Sequence, residues 1–258
     1  MIVVLSPAKT LNYNKKTLAN LYTKPIFQKE ATELVKELQQ YTPPELSTLM
    51  KISDDLAELN FKRNLSFQMK ATLENSKQAI LTFQGTVYQG MRADEFSEDE
   101  LQFAQNHIRI LSGLYGVLRP LDLIQPHRLE MGIKLKNSKG KDLYSFWKDK
   151  ITNYLNEEID KHNDKILINL ASNEYFSAIN TKSFAGKIIN ISFKEYRYGT
   201  YKIVAVYAKR ARGLMSRYIA ENKVKNIEIL KNFEEEGYAY NEELSSDNEF
   251  VFTRHGKI

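Results

Sequence analysis

Residues 207–220 read YAKRARGLMSRYIA, a stretch holding Lys209, Arg210, Arg212 and Arg217 and no acidic side chain. Guanidinium groups gathered in this way suit bidentate contacts to phosphate oxygens. Projected near 100° per residue, Ala208, Ala211, Leu214, Met215, Tyr218 and Ile219 share one face, which is expected to be the core side. The four basic residues lie opposite, around Gly213, Ser216 and Ala220. A solvated face tolerates long side chains, and a mid-helix glycine costs about 1 kcal/mol relative to alanine. The small residues are therefore expected to form a shallow trough in which a phosphate approaches closely between arginines. A plain amphipathic helix is the competing reading. No Asp or Glu occurs from Tyr196 to Ala220, so no nearby residue in the sequence neutralises this charge.

Three other groups carry candidate chemistry. TPPELSTLMKISDDLAELNFKRN (42–64) reads as two short helices joined by Lys51, Ile52 and Ser53. That spacing suits a helix-hairpin-helix, whose turn offers backbone N–H groups to a phosphate. Such turns usually carry glycines, and an ordinary helical hairpin explains the same residues. SPAKT (6–10) follows the first apolar run, where α/β proteins often bind ligands; Ser6 and Lys9 are its candidates, although the glycines of a phosphate loop are missing. Arg119, His127, Arg128 and Glu130, with Asn169, Ser172, Glu174 and Tyr175, are placed to line a polar cleft at strand ends. Turns and salt bridges account for these residues equally well. Lys9 and Glu174 are the candidates for catalysis. The four histidines show no metal spacing, and with no cysteine the chain has no disulfide, thiolate or iron–sulfur chemistry; neither a metal nor a cofactor is expected.

The elements that must position these groups alternate between helix and strand. Met1–Leu5 is a short apolar strand, and helices are expected over 26–40, from Thr42 and Ser53, and from Ser97 to about Ser112. Thr42 with Glu45, and Ser97 with Glu100, have capping-box spacing. Residues 79–83 are expected as a strand, 112–132 as a long irregular connection, and 142–161 as one helix around Trp147. Strands follow at 166–170, 187–193 and 201–207, with a closing hairpin near 238–240 and 250–253. With no linker or repeat in 258 residues, one α/β (mixed α+β) domain is expected, a central mixed sheet surrounded by helices. Of the net charge of +5, residues 132–220 contribute 17 basic and 8 acidic side chains, a field suited to phosphates. No run approaches the roughly 20 apolar residues of a membrane span, and the N-terminus lacks a basic n-region, so a cytoplasmic protein is expected.

SPAKTLNY (6–13), TPPELSTLMKISDDLA (42–57), FSEDELQFAQNHIRILSGLYGVLRPLDLIQPHRLEMG (96–132), KDLYSFW (141–147), INLASNEYF (168–176) and YAKRARGLMSRYI (207–219) together resemble the YaaA family of bacterial peroxide-stress proteins. The resemblance spans essentially the whole chain. It implies a single domain over 1–258 of that family's unusual "cantaloupe" fold, with a helix-hairpin-helix near 42–64 and a positively charged cleft. It further implies a cytoplasmic protein that confers hydrogen-peroxide resistance, limits iron-driven DNA damage and binds duplex or branched DNA with little sequence preference. Relatives tend to carry tyrosine where His127 stands, so no mechanism is rested on that imidazole. An enzyme acting on a nucleotide or a nucleic-acid base in the polar cleft is the alternative, and direct iron handling a weaker third.

Overall fold

The run Ile2–Leu5 (β1) is buried at all four positions, as expected of a strand covered on both faces. Its neighbours are Ile108–Ser112 (β2) and Ile166–Leu170 (β4), both parallel to it. Gly116–Leu118 (β3) folds back antiparallel on β2. Lys187–Arg197 (β5) runs parallel to β4, with Thr200–Lys202 (β6) antiparallel on its far half. Glu249–His255 (β8) lies parallel to β5 and pairs antiparallel with Ala239–Tyr240 (β7). These strands make one mixed sheet in the order β7-β8-β5-β4-β1-β2-β3, with β6 beside β5. The computed structural model describes residues 1–14, 18 and 20–255.

Within that sheet the five parallel strands run β2-β1-β4-β5-β8. The chain passes from β1 to β2 on one side, then crosses to β4 on the other. Such a reversal opens a crevice outside the carboxyl ends of the two strands, because their following connections leave in opposite directions. The β1/β4 boundary is that point here.

Helices surround the sheet. Gln28–Leu38 (α1), Pro43–Met50 (α2) and Asp54–Ser66 (α3) come first, followed by Thr86–Met91 (α4) and Glu98–His107 (α5). Both expected capping boxes form, Thr42 with Glu45 and Ser97 with Glu100. Residues 108–112 depart from the expected helix. The α5 helix ends at His107, and Ile108 turns to extended backbone to begin β2. Residues 79–82 are a helical turn rather than a strand. The expected single helix around Trp147 is two, Leu143–Trp147 (α6) and Lys150–Ile159 (α7), separated at Lys148 by a positive φ of 38°. Trp147 is fully buried and its indole N–H donates to the Gly113 carbonyl at 2.9 Å, fixing the long connection against the core. Asn173–Phe176 (α8) follows β4, and Ala205–Glu221 (α9) carries the basic stretch. One hydrophobic core joins the sheet and its helices, making a single α/β domain with a central mixed sheet flanked by helices.

Candidate functional site

Ser6 leaves the end of β1 and Ser172 the end of β4, and the two are locked together. The Ser172 N–H donates to Ser6 Oγ at 2.8 Å, and Ser6 Oγ donates to Ser172 Oγ at 3.2 Å. The Tyr88 hydroxyl, reaching in from α4, donates to the Ser6 carbonyl at 3.1 Å. These contacts hold open a cleft of about 450 Å³. Its walls are Ser6–Thr10, Gln84–Tyr88, Ser172, Glu174 and Tyr175, with Lys209 and Arg212 entering from α9. The sheet's switch point and the basic helix therefore meet at one place.

The electrostatics of the cleft are uneven. Arg212 is half-buried, its Nε is shielded from solvent without a hydrogen-bond partner, and burial pulls its pKa down. Among the described residues no carboxylate pairs with Arg212 or Lys209. Burial, then Glu174 and Glu130, raise the Tyr175 phenol well above its ordinary value, and burial raises Tyr88 likewise. Both phenols remain protonated across the physiological range; Tyr88 donates to the Ser6 carbonyl, and Tyr175 is hydrogen-bonded to the Met131 backbone. Glu174 is oriented by the Gly132 N–H, which donates to its Oε1 at 3.0 Å. A side recess opens off the cleft, sharing Pro7–Lys9 and Tyr175 and lined further by Phe83, His127, Arg128 and Glu130. There Glu130 Oε1 accepts from Arg128 at 2.8 Å and faces Lys9 Nζ at 3.5 Å, whereas its buried Oε2 has no partner.

The cleft thus gathers Ser6, Lys9, Ser172, Glu174, Tyr175, Lys209 and Arg212, with Arg128 and Glu130 in its recess. The remaining candidates lie elsewhere. Arg119 binds the buried carboxylate of Asp122 at 2.9 Å and the Lys24 carbonyl at 3.0 Å, as part of a folded connection. Asn169 donates to Asn190 on β5 at 2.8 Å and accepts from the Ala171 N–H, so it ties two strands together. Lys51 and Ser53 are exposed on the turn between α2 and α3, where Lys51 adopts a left-handed φ of 52°; they do not line the cleft.

The trough on the basic helix is corrected outright. Gly213, Ser216 and Ala220 are buried, and α4 packs directly against Gly213. A Cβ on Gly213 would lie 1.8 Å from the Val87 carbonyl oxygen, so the helix backbones touch. The missing carboxylates are also supplied from elsewhere in the chain. Arg210 donates to Glu236 at 2.6 Å, and Arg217 pairs with Glu95 at 3.0 Å and Glu221 at 2.7 Å. Of the four basic residues, only Lys209 and Arg212 face the cleft.

Sequence reasoning passed over Gln84, Thr86 and Tyr88. Their one signal was Gly85, where a side chain would press on Ala8 at 3.2 Å, marking the approach of this turn to the SPAKT loop. His127 is buried, its Nδ1 is 2.8 Å from the Gln125 carbonyl oxygen, and burial pulls its pKa down to about 4. In the unfolded chain it titrates near 6.5, so the unfolded state binds the extra proton first as pH falls. Folding stability should drop between about pH 6.5 and 4, by about 3 kcal/mol for this group. Urea titrations across that window should show a flatter dependence in His127→Gln than in wild type. Among the described residues no group of three or more His, Cys, Asp or Glu is arranged to hold a metal ion. No helix among them is long and apolar enough to cross a membrane.

Topology and site together define a single-domain α/β protein with a basic cleft at the switch point of its parallel strands. Within that class, the chain belongs to the peroxide stress protein YaaA family, whose sequence model matches residues 1–244.

Proposed function

We propose that the protein holds DNA by its phosphate backbone during peroxide stress and so shields it from iron-driven oxidation. The observation that carries this reading is the pair Lys209 and Arg212, cations without a carboxylate partner on the wall of the switch-point cleft. A bound phosphate would supply the counter-charge that the fold withholds. Lys9 adds a third cation at the rim, and the Lys51–Ser53 turn of the proposed helix-hairpin-helix, where Lys51 and Ser53 are exposed, would serve as a second anchor. Arg210 and Arg217 contribute by fixing the helix rather than by touching DNA. Phosphate contacts position a protein without reading bases, so sequence preference should be slight. Gel shifts with duplex and branched DNA over a salt series, alongside nicking of the same DNA by Fe(II) and peroxide, test both halves. Binding should fall steeply with salt, and nicking should fall in step with occupancy. Absence of a shift at low salt would overturn the reading.

A second reading is an enzyme acting on a nucleotide or a nucleic-acid base. It is favoured by the cleft volume of about 450 Å³ and by Glu130 in the recess, whose Oε1 faces Lys9 at 3.5 Å while its buried Oε2 has no partner. A cleft of that size suits one small ligand. Turnover of nucleoside phosphates that disappears in Lys9→Ala or Glu174→Gln would establish it.

A further inference from the structure

The far half of β5 leaves the core. Ile189, Ile191, Phe193 and Glu195 point inward and are buried, while Lys194 and Tyr196 point to the opposite face. Three strands are in register there, so Tyr201 of β6, Tyr196 of β5 and His255 of β8 lie side by side. Side chains directly opposite on adjacent strands share a face, so the three rings form a row across the sheet. The rings touch in sequence, with centroids 5.2 Å apart for Tyr196–Tyr201 and 5.4 Å for Tyr196–His255. Tyr196 is 40% and Tyr201 38% exposed, unusual for rings already in contact with each other. At the turn beyond them Tyr198 is 97% exposed, held out by a left-handed φ of 50°.

The charge around this row has one sign. Lys194, two residues before Tyr196 on the row's own face, flanks it and has no carboxylate partner among the described residues. The one acidic residue at these rungs, Glu195, is fully buried and held by Arg197 at 3.0 Å and Arg254 at 2.6 Å. A protein partner would have to bring carboxylates to an aromatic strip. An unpaired nucleic-acid strand brings phosphates for Lys194 and open base faces for the rings.

We propose that the Tyr201–Tyr196–His255 row is a stacking platform for the bases of unpaired DNA or RNA. This rests on the nucleic-acid reading above but uses a different surface, since none of these residues lines the cleft. A duplex hides its base faces, so the platform distinguishes unpaired strands by chemistry that the phosphate contacts lack.

The experiment compares a fluorescent oligothymidylate with a duplex of matched length, by anisotropy at one salt concentration. Replacing both tyrosines, Tyr196→Ala with Tyr201→Ala, should weaken oligothymidylate binding about tenfold or more, given the usual loss per stacked base. Duplex affinity should stay within about twofold, because Lys194 and the cleft cations remain. Tyr196→Phe, which keeps the ring, should bind like wild type. Tyr201→Ser alone, on an edge strand, carries the test should the double variant fail to fold. Equal losses on both substrates, no loss on oligothymidylate, or no oligothymidylate binding by wild type would each overturn the proposal. So would sedimentation showing a wild-type dimer that the alanines dissociate, because the row would then be an interface between copies. Arg212→Gln separates the two readings. If it leaves all binding intact while the alanines weaken oligothymidylate, the cleft reading falls and the platform stands; the reverse pattern removes the platform alone.

Discussion

Arg212→Gln should weaken binding to duplex DNA at least tenfold while raising the melting temperature of the free protein. The two effects share one cause. Arg212 carries a charge that burial penalises, and the fold gives it no carboxylate and leaves its Nε without a partner. A buried charge without a counter-ion is destabilising, so exchanging it for a shorter, neutral amide relieves the free protein. The proposed DNA complex should lose a charge-assisted contact to phosphate, and the slope of log affinity against log salt should become shallower by about 0.9. Reversing both cleft cations, with Lys209→Glu and Arg212→Glu, should remove the gel shift altogether. Arg217→Gln is the informative contrast. Its guanidinium already holds Glu95 and Glu221 and lies over the Phe96 ring. Its replacement should lower the melting temperature and leave affinity within about twofold, since its charge is committed inside the protein. If Arg212→Gln binds DNA like wild type at every salt concentration, the cleft is not where the phosphates sit.

What the sequence disclosed and what it concealed divide along physical lines. Signals carried by neighbouring residues were legible, including the capping boxes at Thr42 and Ser97 and the buried strands at 2–5 and 166–170. The SPAKT and SNEY segments could be placed at strand ends for the same reason, and they do meet in the cleft. The β2 strand was absorbed into the preceding helix because Ile108 and Leu111 continue the helical spacing of Leu101 and Ala104. Only its pairing with β1, more than a hundred residues away, decides otherwise. Long-range ion pairs were equally invisible. Glu95 and Glu236 lie far from the basic stretch in sequence, yet they neutralise Arg217 and Arg210. A charge count within a window therefore overstated how many of the four cations were free.

Gly213→Ala should be among the most destabilising single-methyl changes available to this chain. On helix propensity alone it would stabilise α9 by about 1 kcal/mol. The new Cβ, however, would sit 1.8 Å from the Val87 carbonyl oxygen and 2.9 Å from the Met91 N–H nitrogen. Both obstacles are backbone, so no rotamer change relieves them. The contact is reciprocal, since a Cβ on Gly90 would lie 2.5 Å from the Arg210 carbonyl oxygen. Each helix presents its glycine to the other's backbone, and relief requires α4 and α9 to separate. Overpacking against side chains costs about 1–3 kcal/mol, and a backbone obstacle places the expected loss at or above about 3 kcal/mol. For a chain of this size that corresponds to a fall of about 6–12 °C in melting temperature, measurable by calorimetry. A change below about 1 kcal/mol would show that the helices are not in backbone contact. The consequence reaches the cleft, because α4 supplies Thr86, Val87 and Tyr88, and α9 supplies Lys209 and Arg212, to its walls. Folded Gly213→Ala protein should therefore bind DNA more weakly although every cation is retained, whereas Arg212→Gln gains stability as it loses binding. The glycine that read in sequence as an opening for a phosphate is occupied by another helix, and it acts on the site by setting how near the two walls stand.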